Sequence, residues 1–185
     1  MAVVASSIWT LSNALTVSRL IAAPVFCCAL LGNAHVLAGL LFWGAVATDV
    51  ADGRVARARG ESSAFGGLLD HATDASFVTL GLVALSIQGA VPVALPVLVL
   101  VAFLQYMLDS KSLAGRTLRA SFLGRWNGIL YFVPLGVVAT RDAIGLAFPA
   151  DQWVLWLGQA LVLSTLVSMT DRAWTLFSAT EPSGN

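Results

Sequence analysis

Residues Asp49 to Asp74 read DVADGRVARARGESSAFGGLLDHATD, a stretch set between long runs of Leu, Val, Ala and Phe. Four aspartates, Asp49, Asp52, Asp70 and Asp74, fall inside what otherwise read as membrane helices. Placing an ionised carboxylate in hydrocarbon is costly enough that an intramembrane acid is a functional feature by default. The stretch therefore bears on both the fold and the chemistry.

Its surroundings set the fold class. The chain has 185 residues, of which 58% are hydrophobic and 11% charged, and its mean hydropathy is +0.84. These values lie outside the soluble range and predict an all-α integral membrane protein. At about 20 apolar residues per bilayer crossing, the sequence divides into six transmembrane helices, near 15–32, 36–58, 64–88, 91–109, 126–141 and 152–172. Gly32-Asn33, Gly89 with Pro92, and Pro149 fall in connections, while residues 60–63 and 111–124 break the apolar runs with polar or charged side chains. A short interfacial segment, 1–14, would place Trp9 at headgroup depth, and a flexible tail would occupy 178–185. The whole of 1–185 is expected to form one transmembrane domain. The N-terminus lacks the basic region of a cleavable signal peptide, so the first span is expected to stay in the mature protein.

Charge gives the orientation. With the N-terminus inside, every basic residue except Arg141 falls at the cytoplasmic side, as the positive-inside rule requires. The aspartates then lie at the cytoplasmic ends of the second and third spans, and a multi-pass protein of the inner (cytoplasmic) membrane is expected. A formal net charge of +0 and scattered basic residues exclude nucleic acid as a partner. Cys27 and Cys28 are adjacent in an apolar run, which suits neither a disulfide framework nor a metal site.

Helical spacing brings Asp49, Asp52 and Ala56 to one face with Gly53 beside them, and puts Gly66, Asp70 and Asp74 on an i, i+4, i+8 ridge. The short turn at 60–63 predicts that these two helices are antiparallel neighbours whose acidic faces meet. Four converging carboxylates repel one another, and a pair of divalent ions relieves the repulsion; oxygen ligands of this kind suit Mg²⁺ or Mn²⁺. Gly53, Ala56, Gly66 and Gly67 remove bulk nearby, leaving room for a neighbouring helix or a flat ligand. Arg57 offers a planar fork for phosphate oxygens. Metals, small residues and an arginine together point to a pyrophosphate or nucleotide diphosphate. Interhelical salt bridges to Arg54, Arg57 or Arg59 are the plain structural alternative, but ion pairing does not need four acids at ordered spacing.

The pattern Asp49-x-x-Asp52-Gly53-x-x-Ala56-Arg57, then eight residues, then Gly66-x-x-x-Asp70-x-x-x-Asp74, resembles the full signature of the CDP-alcohol phosphotransferase family. Upstream, SNALTVSRL is similar to the Asn, Thr and Arg pattern at the start of that family's first span, which draws attention to Asn13, Thr16 and Arg19. The resemblance implies a six-helix, homodimeric membrane enzyme that transfers a substituted phosphoryl group from a CDP-linked donor to an alcohol and releases CMP. It implies that Asp49, Asp52, Asp70 and Asp74 hold two Mg²⁺ or Mn²⁺ ions, with Asp74 also the general base. Gly53, Ala56, Arg57 and Gly66 would line the CDP pocket. His71 is a competing base on another face of the helix and is expected to be a bystander.

By the same resemblance the donor is CDP-diacylglycerol, whose acyl tails can stay in lipid, and the acceptor a small polar alcohol. The mirror arrangement would use CDP-choline or CDP-ethanolamine with diacylglycerol. Ala75 follows Asp74, where phosphatidylglycerophosphate synthases often carry Lys and phosphoinositol enzymes Arg. Arg116 and Arg119 could bind an acceptor phosphate, although topology alone explains a basic loop. An intramembrane prenyltransferase would use two separated acidic motifs in a larger bundle, and a cation carrier would distribute acids along a pathway. The single cluster fits neither.

Overall fold

The computed structural model describes the backbone of residues 11–59, 64–112 and 122–180, and side-chain surroundings for 14–51, 67–107 and 123–175. Within these residues the chain is helical, with no strand: α1 (Leu11–Leu31), α2 (His35–Arg59), α3 (Ala64–Ile87), α4 (Ala94–Ser112), α5 (Phe122–Leu130), α6 (Phe132–Ala143) and α7 (Asp151–Thr180). In an apolar medium a helix satisfies its own backbone, so Leu, Ala and Val runs have no better choice. The fifth predicted span is split at Tyr131 into α5 and α6. Pro134, in the first turn of α6, has no N–H to return to the carbonyl of Leu130, which explains the interruption.

The ends differ from expectation in two places. α1 starts at Leu11, so part of the segment expected to be interfacial is already the first helix; residues 1–10 lie outside the described residues. α7 runs to Thr180, into the expected tail, of which 181–185 also lie outside.

Six transmembrane helices were expected, and among the described residues three are long and apolar enough to cross: Ala14–Leu31, Gly67–Ile87 and Asp151–Thr175. The apolar lengths of α2 and α4 are shorter, His35–Ala51 and Ala94–Met107. Polar residues take up the remaining turns of both helices. Both apolar windows end where the described side chains end, at Ala51 and Met107.

Three turns share one end of the bundle and are closed alike. Asn33, Gly89 and Gly145 have φ of 54°, 76° and 70°. After each, a 6→1 bond ties the next amide back to the helix: Ala34 to Ala29 O, Ala90 to Leu85 O and Leu146 to Arg141 O, at 2.9, 2.8 and 2.9 Å. This is the Schellman cap, which needs a left-handed residue and favours Gly or Asn there.

α1 packs on both α2 and α3, α3 on α4, α4 on α7, α7 on α5, and α6 on α2. Among the described residues α2 and α3 do not form the direct pair expected from their short connection, and α1 packs on both. Phe26 of α1 makes the link on both sides, stacked on Phe77 of α3 with centroids 4.8 Å apart and tilted against Phe42 of α2 at 6.2 Å. A short connection fixes the order of helices along the chain but does not oblige consecutive helices to touch. Gly39 and Gly136 let α2 and α6 approach closely, since a Cβ at Gly39 would lie 2.9 Å from Ala143 Cβ, and one at Gly136 would lie 2.8 Å from the Phe42 ring. Large apolar side chains such as Ile21, Leu40, Val97 and Leu163 face outward, as lipid contact allows.

Candidate metal centre

The buried side of α1 reads Thr16, Arg19, Ala23, Phe26 and Leu30. That is helical spacing, with an arginine at a core position. Arg19 is 3% exposed and points between α2 and α3 at the end opposite the capped turns. Its Nη1 donates to Asp49 Oδ1 at 2.5 Å and to Asp74 Oδ1 at 2.6 Å, and its Nη2 donates to Asp70 Oδ1 at 2.5 Å. α2 supplies Asp49, while Asp70 and Asp74 come from one ridge of α3, one turn apart. Convergence of the two acidic faces is therefore real, but it occurs across α1 and through a guanidinium. With the carboxylates ionised, the four side chains carry a formal charge of −2, one positive against three negative.

Oxygen atoms of Asp49, Asp70 and Asp74 lie within 4.8 Å of one another, close enough to share a cation. Hard carboxylate oxygens are the donors Mg²⁺ and Mn²⁺ prefer. The donor set fits a divalent ion.

The chain matches the family model for CDP-alcohol phosphatidyltransferase over residues 9–164. It belongs to that family. Two relatives described as probable phosphatidylglycerophosphate synthases, from two strains of Mycobacterium tuberculosis, are 29% identical over 173 residues, covering 87% of this chain and 78% of theirs. A cardiolipin synthase (CMP-forming) / mitochondrial hydrolase fusion protein of Schizosaccharomyces pombe is 28% identical over 157 residues. That match takes in 75% of this chain, which spans about a quarter (26%) of the fusion protein's length. As a CDP-alcohol phosphatidyltransferase the chain is a membrane transferase of phospholipid biosynthesis, a class that takes a CDP-linked donor and an alcohol acceptor.

Other members of the family signature lie beside the triad. Asp52, Gly53, Ala56 and Arg57 occupy the last turns of α2, and Gly66 the first turn of α3; their side-chain surroundings are outside the described residues. Arg116 and Arg119 lie wholly outside them. A Cβ at Gly67 would have no described atom within 4 Å, so helix packing among the described residues does not require glycine there. His71 is exposed and meets Tyr106 of α4 edge-on at 5.8 Å, and Arg172 of α7 lies over the same ring at 5.2 Å.

Arg19 is the residue whose part in the cluster sequence reasoning missed. The resemblance marked it, yet ion-pair partners for the aspartates were sought among Arg54, Arg57 and Arg59, which are nearer to them in sequence. Burial was the available signal: a lone basic residue within an apolar helix needs acids, and only this stretch supplies several.

Proposed function

We propose that the protein transfers a phosphatidyl group from CDP-diacylglycerol to a small polar alcohol and releases CMP. The observation that carries this reading is the meeting of Asp49, Asp70 and Asp74, from two helices, within 4.8 Å at one end of the bundle. Asp52 completes the acidic set, one turn beyond Asp49. Two Mg²⁺ or Mn²⁺ ions held by these residues would supply charge neutralisation for the donor pyrophosphate. Gly53, Ala56 and Gly66 give the CDP moiety close approach to the backbone, and Arg57 binds phosphate oxygens through its fork. Asp74 receives the acceptor's hydroxyl proton as that oxygen attacks phosphorus and the bond to CMP breaks. Arg116 and Arg119 attract an acceptor phosphate.

Glycerol 3-phosphate is the first acceptor in this reading, because relatives covering 87% of the chain bear the name phosphatidylglycerophosphate synthase. In the cell, the chain forms a homodimer and crosses the inner membrane as six segments, one of them α5 with α6. The acids face the cytoplasm, where charged nucleotides and acceptors are found.

The test incubates purified protein in lipid and detergent with CDP-diacylglycerol, Mg²⁺ or Mn²⁺, and separate acceptors: glycerol 3-phosphate, serine, inositol, inositol phosphate and phosphatidylglycerol. CMP formed with glycerol 3-phosphate alone is the expected result. CMP with another acceptor would replace that acceptor and keep the chemistry. Silence with all of them, followed by CMP from CDP-choline and diacylglycerol, would invert donor and acceptor.

A further inference from the structure

Arg19 and a divalent ion want the same atoms. The guanidinium is buried on α1 and, among the described residues, makes charge-assisted bonds to an Oδ1 of each of Asp49, Asp70 and Asp74. A single carboxylate would neutralise it, so three are more than a structural salt bridge requires. An oxygen lone pair directed at an N–H is not directed at a metal, and two cations at one site repel. Resting on the metal-centre reading above, we infer that Arg19 is a resident counter-cation of the acid cluster. It competes with the divalent ion for Asp49, Asp70 and Asp74, and ion binding is coupled to withdrawal of the guanidinium.

The charge balance gives this arrangement its use. One positive charge holds three acids from α2 and α3 against α1 and removes part of their mutual repulsion. A formal −2 remains among the four side chains, so attraction for a divalent ion persists. Arg19 is in these terms a positioning residue that also sets how tightly the ion is held. Replacing it should cost stability when no ion is present and raise affinity for the ion, two effects that a purely structural bridge would not produce together.

The full-length protein in lipid–detergent micelles, stripped with EDTA, is titrated with Mn²⁺ while free Mn²⁺ is followed by electron paramagnetic resonance. Thermal unfolding is recorded with EDTA and with saturating Mn²⁺. For Arg19→Gln the expected results are a lower Tm in EDTA, a larger Mn²⁺-induced rise in Tm, and Mn²⁺ bound at least about five-fold more tightly than by wild type. Arg19→Lys, which keeps the charge but not the planar fork, should return Mn²⁺ affinity to within about two-fold of wild type. Equal loss of Tm with and without Mn²⁺, or an affinity for Arg19→Gln that is unchanged or weaker, overturns the inference and leaves the metal centre standing. Absence of any Mn²⁺ binding by wild type overturns both. Should Arg19→Gln not fold, wild type alone decides: Mg²⁺ should speed solvent exchange of the Arg19 guanidinium protons in ¹⁵N spectra, and no change on reaching saturation is the contrary result.

Discussion

Phe26 and Phe77 stack almost parallel, 8° apart with centroids at 4.8 Å, and so fasten α1 to α3 along the same buried stripe of α1 that carries Arg19. Both side chains are nearly or fully inaccessible, and Phe26 also reaches Phe42. Among helices in lipid such packing carries association, because lipid tails are as apolar as the side chains themselves. Phe26→Ala should cost about 3 kcal/mol or more through the cavity left behind. Thermal unfolding in detergent checks this, and a cost below that of Leu163→Ala, at an exposed site on α7, would show that the stack holds nothing.

Two glycines on α2 separate packing from propensity. At Gly39 a methyl group would meet Ala143 Cβ at 2.9 Å and the Ala139 carbonyl at 3.3 Å, atoms with little freedom to move, whereas at Gly44 nothing lies within 4 Å. Gly39→Ala should lose about 1–3 kcal/mol by overpacking. Gly44→Ala should be neutral or gain up to about 1 kcal/mol, the helix-propensity difference. Paired melting curves give the comparison directly.

At the opposite end from the acids, Arg141 donates to Asp142 Oδ1 at 2.7 Å, to the Pro149 carbonyl at 2.9 Å and to Asp151 Oδ1 at 2.6 Å, tying the end of α6 to the start of α7. Asp151 is 78% exposed, so Asp151→Asn should change stability by less than about 1 kcal/mol. Arg141→Ala removes bonds to three acceptors at once and should cost about 2 kcal/mol, chiefly by leaving the Pro149 carbonyl and Asp142 without their donor. Unfolding of the two variants at matched detergent should rank them in that order.

Asp74→Asn keeps the shape of the site and removes a charge. Turnover should fall by about 10²–10⁴-fold if Asp74 is the base, while CDP-diacylglycerol binding, measured by displacement of a labelled donor, stays within about three-fold, since the rest of the acidic set is intact. EDTA should abolish turnover of wild type, and Mg²⁺ or Mn²⁺ should restore it. Turnover of Asp74→Asn within about three-fold of wild type would rule out the base role.

The helical fold was open to reading in the sequence because Leu, Val and Ala runs in a chain this apolar leave few alternatives, and because Asn33 and Gly89 can adopt the left-handed turn that stops a helix; Gly145, which does the same before Pro149, was not singled out. The triad was legible from the spacing of Asp70 and Asp74 and from the position of Asp49 on its own helix. What spacing could not convey was the helix that packs on both. Periodicity assigns a face to each residue but not the neighbour that the face meets, and the nearest arginines in sequence drew attention from Arg19, which reaches the acids across 30 to 55 positions.

Packing α1 on both acidic helices has a consequence for the order in which the protein is made. Of the three helices α1 leaves the ribosome before the others and carries the cation, α2 then brings Asp49, and α3 brings Asp70 and Asp74. Each newly inserted helix can then meet an opposite charge already in the bilayer, and no acid has to wait there alone for a partner from the far end of the chain. By residue 74 the charged set is complete, with residues 75–185 still to be translated. Everything that follows can assemble around a centre already balanced enough to remain in place.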